Sequence, residues 1–67
     1  MEENKKELIV LINYLIKHNE SHNKELEELA SSLKDIDEKA YKDVLSALSS
    51  FKEGNAHLTE ALEKINK

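Results

Sequence analysis

Sixty-seven residues without cysteine, proline or tryptophan, and with one glycine, leave room for a single small domain held by helix packing and exclude disulfide scaffolds and cysteine-ligated zinc modules. Fourteen acidic residues against ten lysines give a net charge of −4, and with no arginine to fork a phosphate or read a base edge the chain is not expected to bind nucleic acid. The most apolar stretch, Leu8–Ile16, has nine residues where a bilayer span needs about 20; with the acidic start Met-Glu-Glu-Asn, the chain reads as a soluble, cytoplasmic protein that neither crosses nor binds a membrane.

Leu, Lys, Glu, Ala and Ile dominate and turn-forming residues are nearly missing, so the expected fold is all-α. From the N-terminus, Leu8, Ile12, Leu15, Asn19, His22, Leu26, Leu29, Leu33 and Ile36 follow at alternating steps of four and three, the spacing of a helix seam. A first helix is expected over about residues 4–35, roughly 45 to 50 Å long at 1.5 Å per residue. The polar cluster His18 to Asn23 offers a possible break with Ser21 as a cap, but the seam keeps its phase across it.

The phase is lost between Ile36 and Tyr41, where Asp35, Asp37 and Glu38 supply capping side chains, so a turn is expected at about 35–38. A second helix, about 38–66, carries Tyr41, Val44, Leu48, Phe51, Asn55, Leu58, Leu62 and Ile65 as its seam. Ala40, Ala47, Gly54 and Ala61 recur every seven residues along one flank, a row that permits close approach of another backbone, so Gly54 is expected inside the helix. The single domain, residues 1–67, is thus an antiparallel helical hairpin.

One hairpin does not cover the apolar side chains that Leu8, Ile9, Leu11, Ile12, Leu15 and Ile16 spread around the first helix. Each left wet forgoes roughly 1.5 to 3 kcal/mol relative to burial, which is large for so short a chain. The expected remedy is a homodimer forming a four-helix bundle, and the alternative is a different protein docking on the Leu8–Ile16 patch.

Three seam positions are polar. Folding about residue 36 or 37 brings Asn55 level with His18 and Asn19, so Asn19, His22 and Asn55 are expected to form an internal polar layer with His18 beside it. Such a layer fixes register and oligomer state. It also suggests a metal site, because histidines at i and i+4 can direct ring nitrogens at one ion, with Glu25 as a third ligand and zinc, nickel or cobalt as the ion. An antiparallel pairing of two copies about residues 19–20 would bring four histidines together. Imidazoles in an apolar setting also raise the reading of an assembly sensitive to pH. His57 is rotated off the seam and reads as a surface histidine; Tyr14 and Tyr41 read as packing residues.

Catalysis is not expected. In His18-Asn19-Glu20-Ser21-His22 the position of the metalloprotease general base is Asn19, which cannot serve. Di-iron bundles need Glu-x-x-His pairs, and the residues three before the histidines are Leu15, Asn19 and Gly54. No cysteine nucleophile, arranged serine or glycine-rich phosphate loop is present. The segment Lys17-His18-Asn19-Glu20-Ser21-His22, followed by Gly54-Asn55, resembles a poorly characterised group of short bacterial and archaeal helical-hairpin domains with an H-N-x-x-H segment and a later asparagine. The resemblance implies a helical hairpin with a polar functional layer, and no activity.

Overall fold

The computed structural model describes residues 2–66; Met1 and Lys67, the ends of the expected domain, lie outside them. Helix α1 spans Glu2–Leu33 and helix α2 spans Glu38–Ile65, packed against each other as an antiparallel hairpin of 52 × 15 × 11 Å. The polar cluster at 18–23 is helical throughout. Several polar side chains on the helices bond back to the preceding turn of backbone, which keeps them compatible with helix. The Asn13 amide donates to the Ile9 carbonyl at 3.2 Å, Ser32 Oγ to that of Glu28 at 3.2 Å, and Thr59 Oγ1 to that of Asn55 at 3.1 Å.

The connection is short and local. The Ile36 and Asp37 amides both donate to the Leu33 carbonyl, at 3.0 and 2.9 Å, closing the end of α1. Asp37 then turns extended, with φ −152° and ψ 104°, and its carboxylate accepts from the Ala40 amide at 3.1 Å. It thereby satisfies one of the otherwise unpaired donors at the start of α2.

The seam of α1 is Ile9, Ile12, Ile16, Asn19, Asn23, Leu26, Ala30 and Leu33, all buried or half-buried at alternating steps of three and four. This corrects the expected seam. Leu8, Leu15, His22 and Leu29 are exposed, and the residues one place further on, Ile9, Ile16, Asn23 and Ala30, take their places against α2. Two stripes flank the shared column Ile12, Asn19, Leu26 and Leu33, each about 100° of helix rotation from the other, and α2 covers only one of them. Ile36 is 79% exposed because it sits in the turn.

On α2, Tyr41, Val44, Leu48, Asn55, Leu58, Leu62 and Ile65 line the seam, but Phe51 is 57% exposed. Gly54 lies within the helix, and a Cβ placed there would meet nothing within 4 Å, so the glycine is not required by the packing of α2 on α1. The enclosed interior is thin: among the described residues only Asn23, Ala30 and Leu48 are buried, and none of them completely. A two-helix layer has too little interior to hide more.

Candidate functional site

At mid-length the seam turns polar. Asn19 Nδ2 donates to Asn55 Oδ1 at 3.2 Å, and Asn55 Nδ2 donates across the seam to the Ile16 carbonyl at 3.2 Å. Both asparagines are half-buried, so the amides replace water with each other and with the opposite backbone. The residues fall here because the short turn between Leu33 and Glu38 sends α2 back along α1 and brings position 55 level with position 19.

The histidines do not join this layer. His18 and His22 are exposed on the flank of α1, one helical turn apart, with their Nε2 atoms 2.9 Å from each other. Tyr14 stacks on His18 with ring centroids 5.5 Å apart and planes 16° apart, while His22 meets His18 edge-on at 4.4 Å. Glu25 Oε1 stands 3.4 Å from the other ring nitrogen of His22, Nδ1. The carboxylate of Glu25, expected as a third ligand, is directed at the far side of the imidazole from the point where the two Nε2 atoms meet. In that position it faces the ring nitrogen of His22 that the His18–His22 contact does not use. Among the described residues no group of three or more His, Cys, Asp or Glu side chains is placed to hold a metal ion.

The two flanks of the hairpin differ in kind. On one, Glu27 and Lys52 pair across the helices at 3.0 Å, beside Glu20, Lys24 and Thr59. On the other, an open groove of about 790 Å³ runs between the helices, with His22, Leu29, Phe51, Gly54 and Leu58 among its walls. The expected Leu8–Ile16 interface splits accordingly. Ile9, Ile12 and Ile16 are half-buried against α2 and are core, while Leu8, Leu11 and Leu15 remain exposed. Added to the last three, Leu29 and Phe51 extend the uncovered apolar surface well beyond the segment singled out in the sequence.

Asn23, 7% exposed, is the most enclosed polar side chain of the described residues. Its signal in the sequence is the seven-residue column Ile9, Ile16, Asn23, Ala30, overshadowed by the more apolar column of Leu8, Leu15 and Leu29 beside it.

No described helix is long and apolar enough to cross a membrane. No curated protein and no solved structure matches the chain. A family described as a domain of unknown function, DUF8180, matches residues 8–65, nearly the whole hairpin including both asparagines, both groove walls and the imidazole pair, and the chain belongs to that family.

Proposed function

We propose that the chain is a non-catalytic assembly module, in which two hairpins join through the apolar flank to form an antiparallel four-helix bundle. The observation that carries this reading is the symmetry of that flank. On α1 the exposed residues Leu11, Leu15, His18, His22, Glu25 and Leu29 follow at steps of four, three, four, three and four, a pattern that reads the same in both directions about residue 20. An antiparallel copy of α1 therefore meets it with Leu11 opposite Leu29, His18 opposite His22 and Leu15 opposite Glu25, so the symmetry is one of spacing, with like residues paired at two of the three levels.

The second helix agrees. With Asn19 bonded to Asn55, residue 20 stands level with residue 54. Gly54 has Ala47 and Ala61 seven residues away on either side, so α2 reads the same in both directions about the level at which α1 does. One axis across the hairpin relates both helices to their copies, with small residues where α2 approaches its mate, and with leucines at the outer levels and histidines at the central one where α1 does. It lies close to mid-length, which gives the two hairpins nearly full overlap. Such a bundle buries side chains that the isolated hairpin leaves wet, each worth roughly 1.5 to 3 kcal/mol on full burial.

Sedimentation equilibrium on the purified chain tests this. A dimer mass at micromolar concentration is expected, together with a shift to monomer in the double variant Leu11→Gln, Leu29→Gln. A monodisperse monomer of the unaltered chain overturns the reading and leaves the flank to a different protein.

A further inference from the structure

The same axis gives the imidazole pair a use. We propose that His18 and His22 are half of a divalent-cation site, completed by His18 and His22 of a second copy across the two-fold axis, with Glu25 orienting each His22. The inference rests on the antiparallel dimer proposed above, and its chemistry is separable from it.

Three observations converge. First, the two Nε2 atoms approach to 2.9 Å on the exposed flank, so both rings bring the same nitrogen to one place. That spacing matches adjacent ligands of an octahedral ion at bonds of about 2.0 to 2.1 Å, and small opposed rotations of the rings open it to the roughly 3.3 to 3.4 Å of a tetrahedral ion. Second, Glu25 at 3.4 Å from His22 Nδ1 occupies the place of the carboxylate that commonly supports a metal-bound imidazole. Stacking on Tyr14 fixes the plane of His18 in turn. Third, one chain supplies two ligands where a closed site needs four, and the midpoint of the pair, residue 20, is the point about which the flank is self-complementary. The second copy brings the missing two nitrogens to the same place.

Metal entry requires each imidazole to present an unprotonated Nε2, with its ring proton on Nδ1, the nitrogen of His22 that Glu25 faces. A dication is also favoured by two chains that together carry twice the −4 of one. Zinc, nickel and cobalt all accept imidazole.

The test uses the full chain, stripped with a chelator and titrated with Co2+ alone, following visible absorption and calorimetry while sedimentation reports mass. The expected result is one Co2+ per two chains, a cobalt spectrum of nitrogen ligation, and a dimer dissociation constant at least about ten-fold tighter with metal than without, because binding to the dimer alone must stabilise it. His18→Ala, His22→Ala is expected to abolish the spectrum and this tightening. Glu25→Gln is expected to keep the one-to-two stoichiometry with affinity lowered about ten- to a hundred-fold. A metal-free dimer that takes up no Co2+, takes one per chain, or binds equally after the double substitution overturns the site and leaves the dimer standing. A chain that stays monomeric with and without Co2+ overturns both.

Discussion

Asn19 on α1 donates its side-chain amide to the side-chain oxygen of Asn55 on α2 at 3.2 Å, and the Asn55 amide continues to the Ile16 carbonyl. Apolar contacts along a heptad seam change little when one helix slides by seven residues, whereas this pair bonds in one alignment. Within one chain the short turn already limits such a slide, and the asparagines add to the register at some cost in stability.

Asn55→Ala removes the acceptor for Asn19 and the donor to Ile16, leaving half-buried polar groups without their partners. A loss of about 1 to 3 kcal/mol in unfolding free energy is expected from urea denaturation. The double substitution Asn19→Leu, Asn55→Leu removes both members and is expected to recover most of that loss while broadening the distribution of oligomers in sedimentation. A single sharp species of unchanged mass would argue that register is set elsewhere.

Asn23 is enclosed within the seam column otherwise filled by Ile9, Ile16 and Ala30. Its side chain borders the grooves on both flanks, and an apolar side chain in its place adds buried hydrophobic surface at about 25 cal/mol per Å². Asn23→Leu is expected to raise the urea midpoint, by about 1 kcal/mol or more in unfolding free energy; a decrease would show that the amide contributes a bond in the assembled state.

Gly54→Ala separates the hairpin from its assembly. Within one chain the added Cβ meets nothing, and helix propensity favours alanine by about 1 kcal/mol, so the helical content and stability of the isolated hairpin are expected to rise. If α2 approaches its copy at this level, the same methyl overpacks the crossing by roughly 1 to 3 kcal/mol, a weakening of dimer affinity of about five-fold or more. Circular dichroism at low concentration and sedimentation at high concentration report the two effects, and a dimer tightened by the substitution would place α2 away from its mate.

Asp37→Ala removes the acceptor for the Ala40 amide. A loss of about 1 kcal/mol, within the 0.5 to 2 kcal/mol spread of such caps, is expected in thermal or urea unfolding. Asp37→Asn should retain most of the stability, since its side-chain oxygen still accepts.

Much of the hairpin was legible because helix formation here is governed by neighbours in sequence. Leu, Ala, Glu and Lys favour helix, the column Ile12, Asn19, Leu26, Leu33 keeps its phase through the polar cluster, and Asp37 can cap the next helix without regard to the rest of the chain. The pairing of Asn19 with Asn55 follows from the same arithmetic, since a short turn fixes which levels of two antiparallel helices meet.

What only the tertiary structure decided is the azimuth of α2 around α1. Spacing along the chain allows the shared column to be joined by Leu8, Leu15, His22 and Leu29 or by Ile9, Ile16, Asn23 and Ala30, and both are seven-residue columns. The packed hairpin takes the second. That choice encloses Asn23, turns His18 and His22 outward, and carries Leu29 and Phe51 onto an open flank. The reason is geometric: a single partner helix covers one stripe of another, and which stripe depends on the direction in which the turn delivers the returning chain and on side chains fitted against each other in space, neither of which is a property of spacing in the sequence.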